Sequence, residues 1–301
     1  MKNVLFALAA PVGLAALLSS CSVRVNLSDD LSKSVVTVSM RTFSVSESDI
    51  PVSTKATDVS LPDRLVFKAI DSSGKSVYEC QQVAGQDDYG SVSFELSPGS
   101  YSFVAVAHGV SSQSVGSDVA ASIQSASRVV MPEDVVFDTF CGTKSVTVLP
   151  ATDFVADMNL PRVNSRFFIE VTDALPVGIA RFEIRVNAGG AEAQGNAGIN
   201  PENGFAIDDR CYVRSYDVSG YVGKTNRKFG ANLFLTGTTQ SVDVVATAYD
   251  SDGGVIASHE LNDITLRQNR MTTAQGKFFQ SSGAGSFTFN TLWETESTVT
   301  Y

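Results

Sequence analysis

The sequence predicts an all-β protein made of two tandem antiparallel β-sandwich domains. Apolar and polar residues alternate along many short segments, and a period of two is typical of strands that bury one face. Turn-forming Gly, Ser, Asp and Pro residues separate these segments, and helical periodicity is scarce. A chain of 301 residues with 43% hydrophobic residues is long enough for two such domains.

Three short turns, each between two alternating segments, predict hairpins. The turns are Asp71–Lys75, Ser97–Ser100 and Asp250–Gly254. The first and third share Asp-Ser-x-Gly between an apolar strand and a β-branched return strand, which indicates a recurring hairpin and does not prove a duplicated domain. Val119–Ser125 is compatible with a short helix. Further strands are predicted at Val35–Arg41, Lys144–Leu149, Val163–Val171, Ala180–Asn187, Leu233–Gly237, Ile264–Arg267, Gly276–Gln280 and Ser286–Asn290.

The N-terminal segment has the three parts of a bacterial lipoprotein signal peptide. Lys2 is the only charged residue before Cys21, and Val4–Leu18 is apolar but shorter than the roughly twenty residues that span a bilayer. Leu18-Ser19-Ser20-Cys21 resembles the lipobox, in which the cysteine thiol accepts a diacylglycerol. We predict that Cys21 becomes the acylated, membrane-tethered amino terminus. An ordinary secretory signal with a chance cysteine is the alternative.

The breaks in the strand pattern predict the division of the chain. We predict a lipoprotein signal peptide over 1–20, a tether over 21–34, an N-terminal β-sandwich domain over 35–150 and a C-terminal one over 151–301. The border follows Pro150, where turn residues interrupt the alternation before a new strand begins. The acidic Ser28-Asp29-Asp30 in the tether either favours export to the cell surface or is an ordinary solvated linker.

The charge of the chain argues against a nucleic-acid partner. The sequence holds 32 acidic and 22 basic residues, for a formal net charge of -10, and its basic residues are not clustered. Binding a phosphate backbone requires concentrated positive charge. We therefore predict no nucleic-acid partner.

Three cysteines remain once Cys21 carries lipid. Cys80 and Cys141 could form a disulfide in an oxidising compartment, a pair that does not include Cys211. The alternative is that all three are buried thiols that behave as small hydrophobic residues.

The motifs of common catalytic sites are missing from the sequence. It contains no G-x-S-x-G, H-E-x-x-H or Walker A pattern and no C-x-x-C pair. Its two histidines, His108 and His259, each follow an alternating strand, where histidine is usually a surface or hydrogen-bonded residue. The Asp250–Gly254 segment lacks the later ligands of a calcium loop, and Trp293 is the only tryptophan. We predict no enzymatic activity, no catalytic residues, no metal site and no cofactor.

Several motifs, in their order along the chain, resemble a family of surface lipoproteins. The motifs are Phe94–Phe103, Val136–Gly142, Leu160–Phe167, Arg267–Thr273 and Gly276–Phe279. Together with the lipobox they resemble the FimB-type, fimbrillin-like lipoproteins of Bacteroidetes. The resemblance implies two transthyretin-like domains, attachment to the cell outer membrane with exposure at the surface, and a role as anchor, accessory or tip subunit of a fimbrium. It implies no catalysis and no cofactor.

The resemblance also implies which partners the chain would have. Other fimbrial subunits would be the main ones, joined by β-strand addition at a sheet edge, and a host or bacterial surface receptor would be a further one. Ser297–Tyr301 has the alternation of a donated strand, and the alternative is that it completes its own sheet. The competing function is that of a surface glycan- or protein-binding lipoprotein of a nutrient-uptake system.

Overall fold

The computed structural model describes residues 33–48, 62–280, 287–291 and 294–300, except for positions 113, 116–117, 134 and 193–195. The predicted signal peptide, Cys21 and the tether up to residue 32 lie outside the described residues, as does Trp293. Within the described residues, no helix has the length and hydrophobicity needed to cross a membrane.

The described chain is almost entirely β-structure, and the predicted all-β class is confirmed. The strands up to Pro161 are β1 (Ser34–Ser48), β2 (Arg64–Asp71), β3 (Ser76–Val83), β4 (Ser91–Leu96), β5 (Gly99–His108), β6 (Ser122–Ser125), β7 (Arg128–Val130), β8 (Thr139–Val148) and β9 (Phe154–Pro161). Those beyond it are β10 (Ser165–Val171), β11 (Ile179–Val186), β12 (Ala191–Glu192), β13 (Gly198–Ile199), β14 (Arg210–Asp217), β15 (Arg227–Leu233), β16 (Thr239–Asp250), β17 (Val255–Arg267), β18 (Met271–Gly276), β19 (Phe287–Thr291) and β20 (Glu294–Thr300). A turn of 3-10 helix at Ser219–Tyr221 is the one helical segment in this part of the chain.

The first sandwich packs the sheet β3-β2-β5-β8 against a sheet in which β1 pairs with β4, β9 and β20. Its interior, the first core, is centred on Phe67. The ring of Phe67 lies 5.5 Å from that of Phe103 and 5.6 Å from that of Phe94 between ring centroids, and Phe94 stacks on Tyr78 at 4.1 Å. These rings come from both sheets, so one face of each strand supplies the core that the alternation predicts.

The second sandwich packs β15-β10-β18-β19 against β12-β14-β11-β16-β17. Its interior, the second core, is centred on Phe182, whose ring lies 4.4 Å from Phe229 and 4.9 Å from Phe278 between ring centroids. Residues of β2, β5 and β8 whose side chains face away from the first core, including Val66, Val104 and Val106, join this second core.

Two features join the halves of the chain. β9 lies beyond the proposed border at residue 150, yet it pairs in parallel with β1, and its buried residues Ala156, Met158 and Leu160 belong to the first core. A small sheet, β13-β7-β6, pairs Gly198–Ile199 of the second half with strand β7 of the first. We retain the division at residue 150 as a proposal.

Four local expectations differ from the structure. The strand expected at Leu233–Gly237 is wrong, because β15 ends at Leu233 and the next strand begins at Thr239. The helix expected at Val119–Ser125 is wrong, because Ser122–Ser125 is strand β6, which pairs with β7 and buries Ile123 in the second core. Parallel pairs (β1–β9, β10–β18 and β12–β14) occur within the mainly antiparallel sheets. The strand expected at Gly276–Gln280 ends at Gly276, because the Asp173 carboxylate accepts the N–H groups of Phe278 and Phe279 at 2.8 and 2.7 Å.

Candidate binding groove

The two Asp-Ser-x-Gly turns have the same construction. Asp71 Oδ1 accepts the N–H groups of Ser73 and Lys75 at 2.9 and 3.0 Å, and Asp250 Oδ1 accepts those of Asp252 and Gly254 at 2.9 and 2.7 Å. A hydrogen bond from the Ser73 side chain is the main cause that lowers the pKa of Asp71. Because both aspartates bind their own turns, these segments are hairpin turns, as their sequences predict. Among the described residues, no group of three metal-ligating side chains is found.

The rings of both histidines lie within hydrogen-bonding distance of backbone groups. His108 is fully buried, its Nδ1 lies 2.8 Å from the Gly109 carbonyl oxygen, and its Nε2 accepts the N–H of Ala121 at 3.0 Å. The acceptor role of Nε2 assigns the proton to Nδ1. Burial lowers the pKa of His108, so the ring is neutral at pH 7. His259 Nε2 lies 2.8 Å from the Phe278 carbonyl oxygen.

The possible disulfide between Cys80 and Cys141 is not formed in the structure. Cys80 lies on β3 and Cys141 on β8, which are opposite edges of one sheet, and their sulfur atoms are not bonded. Three strand spacings separate them by roughly 14 Å, whereas a disulfide needs Cα atoms within about 7 Å. Cys141 also faces the second core, while Cys80 packs against the first.

A groove lies where the two halves of the chain meet. Two adjoining cavities of about 180 Å³ and 590 Å³ share Val135, Phe137 and Arg214 as lining residues. Strands β14 and β15 line the smaller cavity, and residues 111–112, 132–133 and 196 line the larger one. We call the two cavities together the junction groove.

Two tyrosines of β14 build the floor of this groove. The Tyr212 hydroxyl donates to the carbonyl oxygen of Phe234 at 3.1 Å and accepts its N–H at 3.2 Å. The Tyr216 hydroxyl likewise donates to the carbonyl oxygen of Gly230 and accepts its N–H at 3.2 Å. Side-chain hydroxyls thus satisfy the backbone of Gly230 in β15 and of Phe234 just after it, at an edge where a neighbouring strand would otherwise pair.

The Phe168 ring occupies the space that a side chain at position 230 would need. A Cβ atom at this position would overlap with the Phe167 carbonyl oxygen and with the Phe168 ring. Gly230 pairs with Phe168 across β15 and β10, and both residues line the groove. The glycine therefore lets an aromatic ring lie against the strand at the groove wall.

A polar cluster fixes the wall between the halves. Nη2 of Arg166 donates to both carboxylate oxygens of Asp138, and Arg162 and Asn164 each donate to this carboxylate at 3.4 Å. Asn232 donates to the carbonyl oxygen of Val136 at 3.1 Å. Because these bonds link the segment before β8 to the second sandwich, the groove has a firm wall on that side.

Glu133 is anchored at the other end of the groove. Its carboxylate accepts the N–H of Ser111 at 3.1 Å, the Ser111 hydroxyl at 2.9 Å and the Ser114 hydroxyl at 2.5 Å. Burial tends to raise the pKa of Glu133, but these hydrogen bonds outweigh it and lower the pKa, so the carboxylate is charged at pH 7. The nearby Arg64, only 2% exposed, donates to the Ser114 carbonyl oxygen at 3.3 Å.

Sequence reasoning missed this groove. Its one local signal is Tyr212-Val213-Arg214-Ser215-Tyr216, which places two tyrosines and an arginine on one face of a strand. The predicted Cys21 lies outside the described residues, and His108, Cys80 and Cys141 do not line the groove.

A family model matches residues 32–301, and its description is "Family of unknown function (DUF6562)". The chain belongs to this family. No curated protein sequence matched this member of the DUF6562 family.

Solved structures resemble this DUF6562 protein over most of their length. A candidate adhesin from Bacteroides ovatus is 16% identical, with a TM-score of 0.51, and the alignment covers 88% of this chain and 94% of the other. A candidate polysaccharide-binding protein (DUF1812) from Bacteroides thetaiotaomicron is 12% identical, with a TM-score of 0.50 and coverage of 85% and 96%. The fimbrial anchor protein Mfa2 from Porphyromonas gingivalis is 13% identical, with a TM-score of 0.48 and coverage of 87% and 99%. At these identities the likeness concerns the fold.

Proposed function

We propose that the chain is a non-enzymatic, lipid-anchored protein of the outer membrane that serves as anchor, accessory or tip subunit of surface fimbriae. The observation that carries the proposal is the lipobox Leu18–Cys21 ahead of two sandwiches whose fold is shared with a candidate adhesin. The ordered motifs that resemble FimB-type lipoproteins support the same role. Its partners are other fimbrial subunits.

The lipid anchor has a direct test. Replacing Cys21 by alanine removes the thiol that would accept the diacylglycerol, so we expect the folded protein to leave the membrane fraction and to lose incorporation of labelled palmitate. Ser22→Ala, next to it, is the control and should stay membrane-bound. A Cys21→Ala protein that remains in the membrane fraction would contradict the anchor.

Subunits are proposed to join by β-strand addition. Within this chain β20 pairs antiparallel with the second part of β1, from Thr42 opposite Thr300 to Ser48 opposite Glu294. Released from β1, β20 could add to a sheet edge of another subunit through main-chain hydrogen bonds of the same kind. Deleting 293–301 should then abolish attachment of fimbriae while circular dichroism still reports a folded protein. Unchanged attachment by the folded deletion variant counts against strand donation.

A second candidate function is that of a surface glycan-binding lipoprotein. The junction groove favours it, since aromatic rings and polar side chains line it together, and the fold is shared with a candidate polysaccharide-binding protein. A glycan array probed with the purified lipoprotein tests this function, and an array without any bound saccharide contradicts it.

A further inference from the structure

Arg214 is the basic residue among the described lining residues of the junction groove. It lines both cavities, it is half-buried, and its guanidinium carbon lies 5.9 Å from the ring centroid of Tyr216. Within the described part of the chain, no carboxylate lies within 4.0 Å of it. By contrast, Arg166, Arg181 and Arg210 each pair with a carboxylate. The groove therefore presents a cation that the described protein does not neutralise.

Among the described residues that line the groove, the acidic one is Glu133, and its carboxylate already accepts hydrogen bonds. Glu133 lines the larger cavity, and both of its oxygens accept hydrogen bonds from Ser111 or Ser114. A carboxylate oxygen can accept more than one hydrogen bond, so a ligand hydroxyl could still donate to Glu133. Because these donors are neutral, Glu133 keeps its negative charge. The positive charge that a ligand carboxylate can meet in the groove is that of Arg214.

The walls of the groove suit a ligand ring that has one apolar face. Phe137, Phe168 and Tyr216 are half-buried and line the smaller cavity. Polar groups lie around the rim of the larger cavity, where Ser111, Ser112 and Asn196 are found. At about 590 Å³ this cavity is within the usual range of small-ligand sites.

An extended peptide fits this groove poorly. Peptides that bind along a sheet edge pair their backbone with unsatisfied N–H and C=O groups. Here the hydroxyls of Tyr212 and Tyr216 already satisfy the backbone of Phe234 and Gly230 along that edge.

We propose that the junction groove binds a carboxylate-bearing saccharide. The Arg214 guanidinium pairs with the sugar carboxylate, and the rings of Phe137 and Tyr216 pack against the apolar face of the sugar. The Glu133 carboxylate accepts a hydrogen bond from a sugar hydroxyl. The proposal rests on the glycan-binding candidate function and adds its ligand class and its site. Uronic acids and sialic acids share this chemistry.

The test measures binding of the full-length lipoprotein, purified in detergent, by calorimetry. The probes are a galacturonate oligosaccharide and sialyllactose as acidic ligands, with lactose and a maltose oligosaccharide as neutral ones. We expect at least one acidic probe to bind about tenfold or more tightly than the neutral probes. Arg214→Ala should remove that preference, and Arg214→Lys should restore part of it. Arg181→Ala, on the same five-stranded sheet but outside the groove, is the matched control and should bind like wild type.

The possible outcomes distinguish failure of the proposed binding site from failure of the glycan-binding function. Circular dichroism first establishes that each variant is folded. Equal affinity for acidic and neutral probes, or an Arg214→Ala protein that keeps the acidic preference, overturns the proposed site while glycan binding itself stands. Tighter binding of a carboxylate-bearing peptide than of any saccharide overturns the ligand class. If wild type binds no saccharide at all, both this inference and the glycan-binding function fail.

Discussion

The Tyr212 side chain and the Phe234 backbone are bonded in both directions, with 3.1 Å from the hydroxyl to the carbonyl oxygen and 3.2 Å from the N–H to the hydroxyl. Tyr216 repeats the arrangement at Gly230. An edge strand whose backbone is satisfied by side chains is closed to an incoming strand. For the proposed strand addition between subunits, another edge is therefore better suited, such as the one that β20 occupies on β1.

Removing the Tyr212 hydroxyl should destabilise the protein. Tyr212 is buried, and burial raises the pKa of its phenol above the ordinary value of 10. Tyr212→Phe leaves the N–H and C=O of Phe234 without this partner, so we expect a loss of about 1–3 kcal/mol in the free energy of unfolding, measured in urea. Tyr249→Phe is the control, since the Tyr249 ring lies under Arg181 and its hydroxyl has no hydrogen bond to a described residue. Equal stability of the two variants would show that the bonds at Phe234 contribute nothing.

A methyl group at position 230 should be poorly tolerated. Gly230→Ala drives Cβ into the Phe167 carbonyl and the Phe168 ring, which must move together with β10. We expect a loss of about 2–4 kcal/mol, from overpacking and backbone displacement. The control is Gly220→Ala, where nothing lies within 4 Å of the new atom, and its stability should change by less than about 0.5 kcal/mol. Thermal unfolding followed by circular dichroism compares the two, and a stable Gly230→Ala protein would contradict this packing.

Asp138 should stabilise the junction between the halves. Asp138→Asn keeps the shape of the side chain but removes the charge that Arg162 and Arg166 share. Because Asp138 and Arg166 are about one-third exposed, we expect a loss of about 1–3 kcal/mol, less than for a fully buried pair. Glu79→Gln is the control, since Glu79 is 51% exposed in its pair with Lys68 and should contribute about 0–1 kcal/mol. Denaturant titration measures both, and equal losses would argue against a special role for Asp138.

The buried His108 should make the fold sensitive to mild acid. Burial lowers its pKa below the ordinary value of 6.5, so the unfolded chain binds a proton that the folded chain does not. Stability should then be unaffected by this residue above about pH 6.5 and should fall as the pH drops below it, by at most about 1.4 kcal/mol per pH unit. Glu133, Asp71 and Asp217, whose pKa values are lowered, lose their stabilising effect only in stronger acid.

His108→Gln provides the comparison. Unfolding of the variant and of wild type is measured in denaturant at pH 7.5, 6.5 and 5.5. The variant should be less stable at pH 7.5 but should lose less stability on going to pH 5.5. Parallel pH dependences of the two proteins would exclude His108 as the source of the acid sensitivity.

Thiol labelling should confirm that Cys141 is not oxidised. Burial raises the pKa of its thiol to about 12, and the thiol contacts the Pro201 carbonyl oxygen at 3.5 Å. Because the thiolate is the reactive form, iodoacetamide should label Cys141 only after unfolding. Mass spectrometry without reductant should find no peptide in which Cys80 is linked to Cys141. Detection of that peptide would show that the two strands can approach each other.

The strands and hairpins were predictable because they depend on local information. The alternation of apolar and polar residues indicates which face of a strand is buried. In the two Asp-Ser-x-Gly turns, the aspartate carboxylate accepts backbone N–H groups and the glycine adopts the positive φ that the turn requires. Gly74 and Gly253 have φ values of +85° and +84°, so the Asp71 and Asp250 turns follow directly from their sequences. The prediction of a lipobox is local in the same sense, since it depends on four adjacent residues, Leu18–Cys21.

Only the tertiary structure decided what lies beside each strand. Ser122–Ser125, where a helix was expected, is a strand because it pairs with β7. Cys80 and Cys141 form no disulfide because two strands of the sheet lie between them. The junction groove arises because β14 meets β15, Phe137 and Glu133, which are distant from Arg214 in sequence. Strand order and the neighbours of a groove depend on long-range pairing, and the local alternation of one strand is the same whichever strand lies next to it.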